Sequence, residues 1–151
     1  MIKKLSGERE AYLLQTENTS YILAVTDTGH LEHLYYGAKI DVSDAAELEA
    51  IREKREFEPG NSIVYNTDSK LSLEDMCLEV SGVGHGDLRE PFVELVRADG
   101  SRTTDFLFRS GVIDDITPAL TDLPHSYGGS EHLCLTLADG DLTLELQIGR
   151  A

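Results

Sequence analysis

Tryptophan is absent, so a flat aromatic wall for a ligand must come from other rings. Tyr35, Tyr36, Tyr65 and Tyr127 are the candidates, and each serves equally well as a core or interface tyrosine. Basic residues are scarce. Thirteen Lys and Arg stand against 28 Asp and Glu, and the formal charge of -15 repels phosphate backbones and anionic lipid surfaces. Nucleic acid and membrane are therefore not expected as partners. No apolar run approaches the roughly 20 residues of a membrane span. The start, Met1-Ile2-Lys3-Lys4, lacks the apolar segment of a secretion signal, so a cytoplasmic protein is expected. The two cysteines, Cys77 and Cys134, are far apart in apolar surroundings, where a reduced thiol packs as a small hydrophobe, so no structural disulfide is expected.

Several chemistries lack their signatures. Gly82-Val83-Gly84-His85-Gly86 is no phosphate loop, because no Lys-Ser/Thr follows and the next element reads as a strand. His132 and Cys134 share a strand face, with Cys77 and His85 as distant partners, yet the paired short spacings of a zinc site are missing. His30 and His33 fall on opposite faces of a strand and cannot grip one ion. No metal and no cofactor are expected. A glycosidase needs two carboxylates roughly 5–10 Å apart. Twenty-eight candidates offer no way to choose, and Glu74-Asp75, Asp114-Asp115 and Asp139 with Asp141 read as surface or turn residues.

What is present is strand and turn. A chain of 151 residues fits one domain, able to bury roughly two thirds of its unfolded surface. Residues 12–15, 21–25 and 30–36 are β-prone, with Asn18 and Asp27-Thr28-Gly29 between them, and read as an antiparallel meander ended by Gly37. Neither face of the 31–36 run is cleanly polar, so both faces are expected to be covered. Residues 63–65 and 76–80 are predicted as short strands, with a turn at Thr67-Asp68-Ser69. Residues 92–96 and 103–108 flank Ala98-Asp99-Gly100-Ser101, a strong hairpin signal, and 110–115 stays ambiguous. Residues 118–127 read as a long loop. Leu133, Leu135 and Leu137, then Leu142, Leu144, Leu146 and Ile148, alternate across Asp139-Gly140 as a second hairpin with one apolar face.

The one helical signal is residues 43–56. Asp44 is placed to cap, Glu47 follows as in a capping box, and Ala45, Leu48 and Ile51 form a thin apolar stripe. It is either a solvated excursion or a loop projecting toward a partner or ligand. The pattern as a whole predicts an all-β antiparallel β-sandwich with one short helical insertion.

An ordered set of motifs now carries more weight than any one of them. Thr19-Ser20-Tyr21, Gly29-His30-Leu31-Glu32-His33-Leu34-Tyr35-Tyr36-Gly37, Leu71-Ser72-Leu73, Gly86-Asp87-Leu88-Arg89-Glu90-Pro91, Asp99-Gly100-Ser101 with Thr104-Asp105-Phe106, and Leu123-Pro124 with Tyr127 resemble the N-terminal domain of the microbial α-galactosidases of glycoside hydrolase family 36. The resemblance implies a large β-sandwich (a supersandwich) over residues 1–151, incomplete at its C-terminus. It implies a retaining hydrolase of terminal α-galactose in melibiose- or raffinose-type sugars, whose catalytic aspartates lie in a following barrel that is absent here. This polypeptide alone is then expected to be inactive. The implied partners are the enzyme's own barrel, other subunits of a homo-oligomer, and a galactoside.

In tetrameric members a loop of this domain reaches a neighbouring subunit's active site, and its pattern is similar to Arg52, Arg55 and Phe57. The position of its substrate-contacting aspartate falls at Lys54, with Glu53 and Glu56 nearby, so Lys54 and Arg55 are the substrate-binding candidates. Arg89 is expected to fix loops or an interdomain surface rather than touch substrate. Two alternatives remain: a free-standing carbohydrate-binding or assembly module, and a fragment that self-associates through its last hairpin.

Overall fold

The computed structural model describes residues 1–52, 61–68, 70–74, 76–115 and 131–150. The predicted meander forms because its β-prone runs are separated by residues suited to tight reversals. Strands β1 (Ile2–Lys4), β2 (Ala11–Gln15), β3 (Thr19–Val25) and β4 (Leu31–Ala38) pair antiparallel in the order β1-β2-β3-β4. At the β3–β4 turn, Gly29 N donates to Thr26 O at 2.9 Å, and Gly29 takes φ +89°, a conformation glycine adopts without a Cβ clash. β1 is too short for alternation to reveal. β4 continues through Gly37 to Ala38, two residues beyond the predicted 30–36 run. An irregularity between Ile22 and Leu23 sets Tyr36 opposite Tyr21 and His33 opposite Leu23.

The second sheet runs β5 (Leu107–Asp114), β6 (Glu131–Asp139) and β7 (Leu142–Arg150), again antiparallel. The β6–β7 hairpin is the one predicted. Gly140 has φ +62° at the first central position, as a type II′ turn requires.

The other predicted hairpin is only half right. Its turn exists: Arg97 N donates to Ser101 O and Gly100 N to Arg97 O, each at 2.9 Å. Its flanks do not pair with each other, because the glycine-rich bend takes their hydrogen bonds. Phe92 N donates to Ser81 O at 3.1 Å and Thr104 N to Val83 O at 3.0 Å. That bend lies so close that a Cβ on Gly82 would sit 2.6 Å from Thr104 O. The strand therefore begins only at Leu107 and includes most of the stretch left ambiguous.

Residues 76–80 and 63–65 are not strands. Leu78 makes one bridge to Glu32, supported by His33 N to Cys77 O at 2.7 Å and Glu79 N to Leu31 O at 2.8 Å. Tyr65 N bonds Leu71 O across the predicted turn.

The two sheets bury one face each against the other. Leu133, Leu135 and Leu137 of β6 meet Tyr12, Leu14, Leu23 and Leu31 of the first sheet in one core. Each such leucine contributes about 1.5–3 kcal/mol on burial. The opposite face of the first sheet is covered too, with Leu13, Ile22 and Ala24 packed under Leu5, Val42, Ala45 and Leu48. β2 is buried at every position for this reason. The fold is the expected antiparallel β-sandwich.

The helical insertion is a 3-10 helix, Ala45–Ala50, shorter than the predicted 43–56. Its start is as read: Asp44 Oδ1 accepts from Ala46 N at 2.9 Å and Glu47 N at 3.2 Å, while Glu47 reaches back to Ser43 N at 3.4 Å and to the Ser43 hydroxyl. Ala45 and Leu48 are its anchors, whereas Ile51 is 41% exposed. So little anchorage favours a short tight turn over a longer α-helix. Residues 53–56 lie outside the described residues, as does the whole of the predicted 118–127 loop.

Candidate functional site

The two proposed substrate-binding residues, Lys54 and Arg55, lie outside the described residues, together with Phe57. The chain on either side of them is firmly held. Before them, Arg52 Nε donates to Glu32 Oε2 of β4 at 3.1 Å in a pair whose side chains are 16% and 9% exposed. After them, the Glu74 carboxylate accepts from Asn61 Nδ2 at 3.1 Å, Ser62 N at 2.8 Å, Ser62 Oγ at 2.9 Å and Ile63 N at 2.8 Å. The Asn61 hydrogen bond, with those from Ser62 and Ile63, holds Glu74 below the ordinary glutamate value. A residue dismissed as surface is therefore the clasp for one flank. Arg52, part of the loop pattern, is an anchor to the sheet.

A groove of about 990 Å³ opens beside the 3-10 helix, lined by Arg9, Glu10, Asp27, Asp44, Glu49 and Phe108 among others. Arg9 binds Asp27 at 3.0 Å and approaches Glu49 at 3.8 Å, leaving its Nη1 buried without a partner. Glu10 pairs with Lys4 at 2.8 Å and accepts from the Tyr12 hydroxyl. Burial pushes the Glu10 carboxyl up, but Lys4 and Tyr12 together hold it below its usual value. Asp44 is spent on the helix cap. The carboxylates here stabilise structure.

The charges of Asp87 and Arg89 find each other. Arg89 Nε and Nη2 donate to Asp87 Oδ1 at 2.9 Å and Oδ2 at 2.8 Å, and Nη1 donates to Leu78 O at 2.9 Å. Burial pushes the Asp87 carboxyl up, and Arg89 more than reverses this. The pair clamps the glycine-rich bend to the segment beside β4, in keeping with a scaffold role for Arg89.

A second buried network joins three loops. Asp105 accepts from His30 Nε2 at 3.0 Å and from the Tyr65 hydroxyl at 2.8 Å, while His30 Nδ1 meets Thr28 Oγ1 at 2.8 Å. Burial raises the Asp105 carboxyl, and His30 and Tyr65 bring it below its ordinary value; burial and Asp105 push Tyr65 up to about 12. His30 lies just before β4, and its ring stacks edge-on with Tyr65 at 4.7 Å. The alternating pattern carried no hint of this network, because its members are 40 and 75 residues apart in the chain.

The remaining candidates are brought together poorly. Cys77 is exposed, against its expected burial, because its neighbours Met76, Leu78 and Val80 take the buried positions of the segment and leave Cys77 on its outer side. His132 Nδ1 sits 3.1 Å from Asp114 Oδ1, and its Nε2 is buried without a partner. Burial, with Glu145 and Asp114, pushes the Cys134 thiol up, away from a reactive thiolate. Among the described residues no group of three or more His, Cys, Asp or Glu could hold a metal ion. Of the tyrosines, Tyr65 is committed to Asp105, Tyr35 donates to Ala38 O at 2.7 Å, and Tyr36 is 70% exposed; Tyr127 lies outside the described residues. Among the described residues no helix is long and apolar enough to cross a membrane.

One chemical pattern runs through these sites. A glycosidase needs a carboxylic acid whose pKa is raised. Every described carboxylate with a clear shift, namely Glu10, Glu74, Asp87, Asp99 and Asp105, is held down instead.

The family description "Glycosyl hydrolase family 36 N-terminal domain" matches residues 29–149. The α-galactosidase Mel36A of Lactobacillus acidophilus is 29% identical over 147 residues, which is 97% of this chain and 19% of that protein. The crystal structure of an α-galactosidase from Lactobacillus brevis shares the fold with a TM-score of 0.82 at 22% identity, over 98% of this chain and 20% of the other. A variant of the Geobacillus stearothermophilus α-galactosidase AgaA, solved with raffinose, superposes with a TM-score of 0.75 at 25% identity, over 92% of this chain and 19% of its own. The chain spans about a fifth of the length of these relatives.

Proposed function

The chain belongs to the glycosyl hydrolase family 36 N-terminal domain family, and from that membership we propose that it serves as the non-catalytic N-terminal sandwich of a retaining α-galactosidase. That enzyme removes terminal α-linked galactose from melibiose- and raffinose-type sugars in the cytoplasm. The domain's share of the work is packing against its catalytic barrel, homo-oligomer assembly, and presentation of residues 53–57 toward a neighbouring subunit's substrate pocket, with Lys54 and Arg55 as the contacting side chains.

The observation that carries this reading is the family match over 29–149, in relatives about five times as long. Two features of the molecule support it. Its carboxylates with clear partners serve structure: Glu10 meets Lys4 and Tyr12, Glu74 holds Asn61 to Ile63, Asp87 meets Arg89 and Asp105 meets His30 and Tyr65. The Arg52–Glu32 pair and the Glu74 clasp fix both flanks of 53–60, as a presented loop requires.

The purified 151-residue chain, assayed with a chromogenic α-galactoside, is expected to show no turnover, whereas the same residues joined to a barrel are active. Robust turnover by the chain alone overturns the proposal.

A further inference from the structure

The sequence holds two Asp-Gly pairs, Asp99-Gly100 and Asp139-Gly140. Glycine carries no Cβ, so the backbone nitrogen after each aspartate is uncrowded and free to reach that aspartate's carboxyl carbon. The fold treats the two pairs differently.

At Asp139 the carboxylate is tied down. Its Oδ2 accepts from Arg97 Nη2 at 2.5 Å and from Asp105 N at 3.0 Å, and the side chain is 20% exposed. Turning that carboxyl onto Gly140 N would strip a guanidinium and a backbone N–H of their acceptor, a loss with nothing to offset it. Asn61-Ser62 is locked in a similar way, because Asn61 Nδ2 and Ser62 N both donate to Glu74.

At Asp99 the carboxylate is held from within its own turn. Ser101 N donates to Asp99 Oδ1 at 2.9 Å, which folds the carboxyl over the Gly100 peptide unit, the side from which a five-membered ring closes. Asp99 and Gly100 are exposed, and among the described residues a Cβ on Gly100 would meet nothing within 4 Å. The movement is opposed by the two bonds of the turn, Arg97 N to Ser101 O and Gly100 N to Arg97 O, each at 2.9 Å.

We propose that Asp99-Gly100 is a site of covalent self-modification, at which Asp99 passes through a cyclic imide to isoaspartate while Asp139 stays intact. Gly100 N attacks Asp99 Cγ; the proton of that nitrogen and the hydroxyl of the carboxylic acid leave as water, and the imide ring forms. Water then adds to one imide carbonyl. Addition at the backbone carbonyl carbon breaks its bond to Gly100 N, so the chain now runs through Cβ and Cγ and the α-carboxylate is free. The steps consume and return one water and need no oxidant or cofactor. Hydrogen bonds from Ser101, with the Arg97 charge, hold the Asp99 carboxyl below the ordinary aspartate value. The neutral acid that expels water is therefore scarce at neutral pH, and the change belongs to ageing rather than to folding.

The extra main-chain carbon lengthens the turn, so its two backbone bonds no longer fit together. Arg97 links this turn to Asp139 at the β6–β7 hairpin, and the modified turn pulls on that link. This inference concerns the 151-residue chain itself and stands independently of the enzyme reading above.

The purified chain, aged for weeks at neutral pH, is digested and its peptides are fragmented by electron transfer, which tells isoaspartate from aspartate. Isoaspartate is expected to accumulate at Asp99, preceded by a species lighter by one water, with none at Asp139. The aged chain should melt below the fresh one. Asp99→Asn, whose amide expels ammonia more readily than the acid expels water, reaches isoaspartate sooner. Arg97→Gln releases the Asp139 carboxylate and brings the same change to that residue. Aspartate preserved at Asp99 after ageing would overturn the proposal. So would isoaspartate forming equally at Asp139 in the unaltered chain.

Discussion

Asp105 shows how one residue couples the fold to pH. Burial opposes its charge, but His30 and Tyr65 donate to it and leave its folded pKa below the ordinary value. The folded state therefore releases its proton more readily than the unfolded chain, whose aspartates titrate near pH ~3.9. The stability gained this way is present above that pH and is lost as pH falls through the lower folded value. Asp105→Asn should flatten the fall in urea midpoint below about pH 4, leaving the residual slope of the other carboxylates held down in the fold, Glu10, Glu74, Asp87 and Asp99. An unchanged slope would show that the network does not hold the charge. Tyr65 gives the opposite wing: its raised value of about 12 means that its contribution, complete below the unfolded phenol near pH ~10, disappears as pH rises through 12.

At the scale of the element, the contact that spaces the two sheets is made by β2 and β5. Tyr12 is fully buried, and its ring lies against Gly111, where a Cβ would come within 2.0 Å of the phenol oxygen and 2.6 Å of Cζ. No rotation of a methyl group avoids this. Gly111→Ala must push Tyr12 outward or part the sheets, an overpacking that costs about 1–3 kcal/mol. The urea midpoint should drop accordingly, with a partial recovery when Tyr12→Phe removes the nearer atom. A single substitution that left the midpoint unmoved would mean that β5 can slide away from β2 at no cost. Gly111 read only as part of an ambiguous stretch, because a glycine required by a side chain from the other sheet leaves no local pattern.

The whole molecule carries a formal charge of -15 spread over one small sandwich. Ion pairs such as Arg9–Asp27, Arg52–Glu32 and Arg97–Asp139 use up several of the few cations. The excess carboxylates then repel one another, which destabilises the compact state more than the extended one. Salt shortens the reach of that repulsion from a Debye length of about 30 Å at 0.01 M to about 10 Å at 0.1 M. Raising sodium chloride from 10 mM to 0.5 M should lift the melting temperature by a few degrees. A falling Tm would show that the ion pairs outweigh the net charge.

The local alternation of apolar and polar residues determined the β2–β4 meander and the β6–β7 hairpin, since period and turn chemistry need no distant partner. It determined the Asp44–Glu47 cap for the same reason: those contacts span three residues. The ordered motifs pointed to the family. Tertiary structure decided the rest. Whether the flanks of Asp99-Gly100 pair with each other depended on a glycine bend that lies outside them and reaches their hydrogen bonds first. Whether Cys77 is buried depended on which alternate residues of its segment turn inward, and those are Met76, Leu78 and Val80. Where Asp105, Arg52 and Glu74 find partners depended on loops brought together by packing, and long-range contacts of that kind leave no trace in the order of residues that make them.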